Sequence, residues 1–251
     1  MNQIVKSAQR VMQIFEFFAE TRGRASVNDV CKALGYPQSS TSMLLHSLTK
    51  MGYLTYDRYS RTFHPTLRIA SLCTWLLDDG VDERGPLRLM EVLAQRTGDT
   101  VVLGVQNDIH VLYIQVIQAT NPVRIYMKPG SLRPICATAV GRVLLSLKDD
   151  AEIPSIVRRV NAERPDSAAP VDLKELMATI AVVRERGYAL TVNTATVGAA
   201  VIARELPQLA DQPSMAIGIA FPSGQVPCVE RDYAELLAET ISGPRSIKLT
   251  T

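Results

Sequence analysis

The chain has 251 residues and a formal net charge of +2 at pH 7, with 47% hydrophobic and 21% charged residues, the profile of a globular protein with room for two modest domains. No apolar run approaches the ~20 residues that span a bilayer, and "MNQIVKSAQR" lacks the apolar core of a signal peptide, so a cytoplasmic, non-membrane location is expected. Cys31, Cys73, Cys136 and Cys228 form no C-x-x-C pair and His46, His64 and His110 are scattered, which argues against a zinc cluster, a disulfide scaffold, and any metal or cofactor site.

Charge is uneven. Through Leu77 there are nine basic and four acidic residues, a net of +5 that leaves −3 for the remainder. A small basic module joined to a larger, mildly acidic one fits a nucleic-acid reader with a sensor attached.

In chain order, Val11, Ile14, Phe15 and Phe18 share one helical face, so residues 7–20 are read as a first helix. Ser26 is the next N-cap, and Val27, Val30, Cys31 and Leu34 repeat the spacing in a second. Gly35-Tyr36-Pro37 breaks the chain. A third helix runs from about residue 38 to 51, with Thr41, Leu44, Leu45, Leu48 and Met51 inward, Ser39 or Ser40 as cap, and Gly52 closing it. "YLTYD" and "RTFHP" are two strands joined by the turn 58–61, with Arg58 and Arg61 at its ends. Helix, helix, turn, helix and β-hairpin make a winged helix-turn-helix over residues 1–65, its reader at about 26–50. Residues 66–80 are expected to form a linker helix with Leu67 on its packed face.

Residues 81–251 alternate strands (100–106, 110–117, 123–127, "YALTV", "AAVIA", 214–221) with helices (137–147, 153–160, 172–186, 227–241). The expected class is α+β, with the second domain an α/β effector-binding unit hollowed on one face of its sheet.

The third helix carries the functional signal. With its leucines inward, it presents Ser39, Met43, His46 and Lys50 outward, and its hydroxyl-rich first turn (Gln38, Ser39, Ser40, Thr41, Ser42) enters a major groove first. Hydroxyls and N-terminal amides take phosphate oxygens, and Arg10, Arg24, Ser26, Arg58 and Arg61 add contacts around them.

Three blocks, "SAQRVMQIFEFF", "SVNDVCKALGYPQSSTSMLLHSLTKMGYL" and "VRIYMKPGSLRPICATAVGRVLL", followed by "IAVVRERGYAL", resemble the IclR family of bacterial transcription regulators in content and order. The resemblance covers nearly the whole chain. It implies a dimerising winged-helix reader of double-stranded operator DNA, a linker helix and a GAF-like effector-binding domain, assembled as a homodimer or homotetramer. It further implies effector contacts at Ile125, Arg133, Ile135, Cys136, Ala139, Val140, Thr191, Val201, Gly218 and Ala220. The departures matter. Met43 stands where relatives usually carry Arg, Cys136 replaces the usual His, and "LTVNTATVGAAVIA" holds no carboxylate. The expected pocket is therefore mostly apolar, suited to an aromatic or apolar acid held by Arg133.

Two rivals are weaker. Cys136 before a helix could be a nucleophile, but no His with an orienting partner has a recognisable motif near it. A methyltransferase that uses its winged helix only to dimerise needs a glycine-rich cofactor loop, and no G-x-G-x-G occurs. No catalytic residue is assigned. Effector identity, target genes, the operator and the sense of regulation are not written in the sequence.

Overall fold

In the computed structural model, residues 5–72, 85–209 and 211–243 are described. The chain divides into two compact units, Met1–Val81 and Asp82–Thr251.

The first unit opens with α1 (Lys6–Thr21), α2 (Val27–Leu34) and α3 (Gln38–Lys50), followed by β1 (Leu54–Asp57) and β2 (Thr62–Pro65). Ser26 starts α2 through a capping box: its hydroxyl accepts the Asp29 amide while the Asp29 carboxylate accepts the Ser26 amide. The Ser26 hydroxyl, which also donates to the Asp29 carboxylate at 2.7 Å, and after it the Ser26 amide hold the Asp29 carboxyl below its usual range. Gly35, at φ 68°, ends α2 in the left-handed conformation that favours glycine. Ile14, Phe18, Ala25, Val30, Leu45, Leu48, Leu54 and Phe63 form the core. Each large side chain buried there contributes about 1.5–3 kcal/mol. A β-bridge from Ala25 to Phe63 ties the α1–α2 connection to the hairpin. Met51, expected inward, is 56% exposed, because α3 ends at Lys50 and Met51 lies beyond its packed face. Of the expected linker helix, α4 (Leu67–Ser71) is described, capped by the Thr66 hydroxyl; its Leu67 is exposed, and residues 73–84 lie outside the described residues.

The second unit begins with α5 (Pro86–Thr97), which the sequence reading missed although Pro86 at its start and Gly98 at its end mark it. Then come β3 (Thr100–Asn107), β4 (His110–Ile117), β5 (Leu132–Pro134), α6 (Ala139–Ser146), α7 (Ile153–Glu163), α8 (Leu173–Arg186), β6 (Ala189–Val192), β7 (Ala199–Glu205), β8 (Met215–Pro222) and α9 (Val226–Ser242). The strands form one antiparallel sheet in the order β5-β4-β3-β8-β7-β6. Alternation splits its side chains between two cores. Val101, Leu103, Ile217, Ile219 and Phe221 face α5 and α9, whereas Val102, Val111, Tyr113, Val201, Ala203 and Ala220 face α6 and α8.

Residues 123–127, expected as a strand, are not one. Their backbone is held by side chains instead: the Thr100 hydroxyl donates to the Ile125 carbonyl at 2.6 Å, and the Gln118 amide pairs with the backbone of Met127. With that segment out of the ladder, β5 becomes the edge.

Candidate functional site

The first candidate surface is α3 with the β1–β2 hairpin beside it. Pro37 is the N-cap of α3, and no side chain caps the helix, contrary to the expected Ser39 or Ser40. The reason is direction: the Ser40 and Thr41 hydroxyls donate back to the Pro37 carbonyl, at 3.1 and 3.0 Å, rather than accepting amides. The amides of the first turn are thus left for an outside acceptor, at the positive end of the helix dipole.

Gln38 and Ser39 are exposed and Ser42 is half-buried, and neither serine hydroxyl has a partner among the described residues. Met43 is 71% exposed. Thr41, at 1% exposed, belongs to the core and cannot reach a ligand, which corrects its place among the expected contacts. His46 and Lys50 are exposed, and the His46 ring packs edge-on against Tyr56 and Phe63 of the hairpin. That contact fixes the hairpin beside the outer face of α3.

The remaining cations are partly engaged. Arg10 stacks over Tyr36 in the turn before α3, with 4.8 Å from its guanidinium carbon to the ring centre. Arg24 pairs with Asp57 at 3.2 Å, and the Ser26 hydroxyl is occupied by its capping box. Arg58 and Arg61 stand exposed at the hairpin tip.

The second candidate is a narrow cleft in the other unit, with a free volume of about 10 Å3, the room of a single water molecule. It is lined by Tyr113, Met127, Arg133, Thr138, Thr191, Thr194, Ala195, Thr196, Ala199 and Val201. These residues come from both edges of the sheet. Arg133 points inward from β5, opposite Val111. Thr191 and Val201 face each other across β6 and β7. Thr138 is the N-cap of α6, its hydroxyl accepting the Gly141 amide at 3.1 Å. The loop 193–198 lies over the cleft: the Thr194 hydroxyl donates to the Ala137 carbonyl at 2.7 Å, and Arg133 donates to the Thr196 hydroxyl.

Two features define the chemistry. Arg133 is half-buried, and its hydrogen-bond partner is a neutral hydroxyl; no carboxylate pairs with it among the described residues. Tyr113 is 1% exposed, and burial pushes its phenol up to about 12, against the opposing pull of Arg133, so it is a neutral donor at pH 7. A guanidinium, a phenol and four threonine hydroxyls line the cleft together with Met127, Ala195, Ala199 and Val201, so polar groups able to meet an anion are set among apolar ones.

Of the ten expected effector residues, Arg133, Thr191 and Val201 meet in this cleft. Ile135, Cys136, Ala139, Val140, Gly218 and Ala220 instead pack α6 onto the sheet, and Ile125 lies against the same core. Burial pushes the Cys136 thiol up to about 11, the reverse of what a nucleophile needs. The sequence reading missed Tyr113, Thr138, Thr194 and Thr196. The density of threonines in "LTVNTATVG" was the available signal, and Tyr113 is the one inward residue with a polar tip in "HVLYIQVI". Among the described residues no helix is long and apolar enough to cross a membrane, and no group of His, Cys, Asp and Glu is placed to hold a metal ion.

Comparison with known proteins points one way. The family model for the bacterial transcriptional regulator IclR C-terminal domain matches residues 86–244, and that for the IclR helix-turn-helix domain matches residues 7–58. The HTH-type transcriptional regulator XynR of Escherichia coli is 26% identical over 188 residues, 74% of each chain. The crystal structure of the effector domain of an IclR regulator from Acinetobacter sp. ADP1 is 28% identical. It matches with a TM-score of 0.58 over 62% of this chain and 91% of that one. The Thermotoga maritima IclR structure, at 16% identity, has the same fold, with a TM-score of 0.65 over 94% of this chain and 96% of that one.

Proposed function

Since the chain belongs to the IclR family of bacterial transcription regulators, a winged-helix DNA-binding unit followed by an α/β unit and not an enzyme, we propose that the second unit senses a small, polar carboxylic acid and sets the affinity of the first for operator DNA. The single observation that carries the choice of ligand is Arg133: a half-buried cation facing a cleft with only a hydroxyl to bond. An entering carboxylate replaces that hydroxyl with a charge-assisted, two-pronged partner, roughly twice as strong as a neutral hydrogen bond. The Tyr113 phenol and the threonine hydroxyls then satisfy the second oxygen and any hydroxyl or keto group. An aromatic acid fits this reading poorly, because a ring laid against the Tyr113 phenol and the threonine hydroxyls would leave their hydrogen bonds unrepaid.

The loop 193–198 supplies the coupling. It is tied to Arg133 through Thr196, so a ligand that takes Arg133 releases one tether of the loop and shifts the balance between two arrangements of this region. On the DNA side, the uncapped start of α3, with Ser39 and Ser42, holds phosphates, and Met43 offers apolar contact to a thymine methyl rather than a bidentate bond to guanine. The DNA is double-stranded operator in the cytoplasm, a gene set handling the same small acid is the natural target, and the regulator acts as a homodimer or homotetramer.

Calorimetry with the full-length protein tests the ligand class, using a panel of C2–C4 hydroxy and keto acids beside benzoate-type acids. The expected result is binding of a member of the first group, with Arg133→Ala weakening it at least about 30-fold, the loss of one charged hydrogen-bonded partner. Preference for the aromatic acids, or equal binding by Arg133→Ala, refutes the assignment.

A further inference from the structure

The tip of the β1–β2 hairpin carries an aromatic side chain that packing does not explain. Tyr59 is 102% exposed, between the exposed Arg58 and Arg61. Its phenol makes no hydrogen bond among the described residues. A tyrosine offers a large apolar face, and leaving all of it in water forgoes the burial that holds Tyr53 and Tyr56 against the core of the same unit.

The turn that displays it is built to be stiff. The Asp57 carboxylate accepts the Tyr59 amide at 2.9 Å and binds Arg24 at 3.2 Å, and the Ser60 and Thr62 hydroxyls bond each other at 2.7 Å. The Tyr59 amide, first among several partners, holds the Asp57 carboxyl below its usual range, so it stays ionised. Arg61 closes the turn at φ 54°, a left-handed conformation that only a few per cent of non-glycine residues adopt.

The tip is also placed beside α3. Tyr56 and Phe63, paired across the hairpin, rest against His46 with ring centres 5.4 and 5.3 Å away. Tyr59 lies two residues past the end of β1, in the turn that forms the hairpin tip, further from the core than Tyr56. With α3 in a major groove ~12 Å wide, the tip of a hairpin held beside that helix faces the bordering phosphates and the neighbouring minor groove, ~6 Å wide. The arginines suit the phosphates. A flat ring with a single O–H donor suits the narrow groove, where A·T pairs offer only acceptors and the amine of G·C stands in the way.

We propose that Tyr59 is a DNA-reading residue that enters the minor groove beside the α3 site and favours A·T pairs there, with Arg58 and Arg61 on the flanking phosphates. The proposal rests on the reading of this unit as a DNA binder through α3. It assigns to the hairpin a share of the sequence preference that Met43, in place of a basic residue, does not supply to the recognition helix.

The test uses duplexes selected from a random-sequence library by the full-length protein, with affinity measured by fluorescence anisotropy at several salt concentrations. Tyr59→Ala, at a site without packing, keeps the thermal midpoint of the wild type and binds about ten-fold more weakly, the effect of one lost specific contact. The slope of log K against log salt is unchanged, because no phosphate contact is lost. In the flank facing the hairpin, exchanging A·T for G·C weakens the wild type. Exchanging it for inosine·cytosine, which lacks the minor-groove amine, does not, and Tyr59→Ala is indifferent to both. Equal affinity of Tyr59→Ala and wild type, or an inosine·cytosine penalty equal to that of G·C, overturns the proposal and leaves DNA binding through α3 standing. If the wild type selects no duplex, the DNA-binding reading fails and the proposal fails with it.

Discussion

Cys136 and Arg133 lie three residues apart and show what single positions decide. Arg133 is turned into the cleft by its place opposite Val111, while Cys136 is turned into the packing beneath α6, with its carbonyl accepting a hydrogen bond from Arg142 at 3.1 Å. Burial favours the neutral thiol, so its pKa rises to about 11 and the thiolate that reacts with alkylating agents is scarce at neutral pH. In the native protein at pH 7, Cys136 should therefore stay unlabelled by iodoacetamide while the exposed Cys228 reacts, and its labelling should grow only as pH approaches 11. Peptide mapping by mass spectrometry reads this directly. Labelling of Cys136 as fast as that of Cys228 at pH 7 would contradict the burial. At this scale Arg133 was singled out in the sequence because it stands just before Pro134, where the family often has Leu. Its hydroxyl companions were not. Thr138 and Thr194 reach the cleft only through a helix cap and a loop that spacing does not reveal.

Among the elements, α6 is seated by small residues on the strands beneath it. A Cβ on Gly104 would stand 2.7 Å from a Val140 methyl, and one on Gly218 would stand 3.1 Å from another. The tightest approach lies in α6 itself, where a Cβ on Gly141 would come 2.0 Å from the Ile135 carbonyl oxygen. Backbone cannot yield as a methyl can. Gly141→Ala should cost about 2 kcal/mol or more and lower the thermal midpoint by several degrees, whereas Gly218→Ala, meeting valine methyls at 3.1 Å and beyond rather than backbone at 2.0 Å, should cost clearly less. Differential scanning calorimetry of the two variants decides the order, and equal midpoints would contradict the close seating of α6. Of the positions assigned to the pocket by resemblance, Gly218 and Ala220 lie under α6, and Ala139 and Val140 belong to its packed face. Apart from α5, the elements were legible, from the 3.6-residue faces of α1 and α2 to the continuous apolar runs of β3 and β8, which are buried on both faces. Residues 123–127 alternate like a strand, but Thr100 and Gln118 occupy their backbone in place of a neighbouring strand. No local pattern encodes partners 9 and 25 residues away.

For the whole molecule, the sequence already divides the labour, with net positive charge in the DNA-binding unit and net negative charge in the rest. Net negative charge on the second unit disfavours contact with phosphates there. What the two units must share is a response: a change in the cleft has to alter the affinity of α3 and the hairpin for DNA. By linkage, an acid that shifts DNA affinity has its own affinity shifted equally by DNA. The most direct measurement is operator affinity by anisotropy, on a library-selected duplex, as the small acid found by calorimetry is titrated against wild type and Arg133→Ala. The account predicts that the acid changes wild-type affinity at least about five-fold, the lower end of ordinary allosteric coupling. Arg133→Ala should bind the same duplex as tightly as the unliganded wild type and ignore the acid. A response that survives in Arg133→Ala, or a wild type whose DNA affinity no carboxylic acid alters, would contradict it.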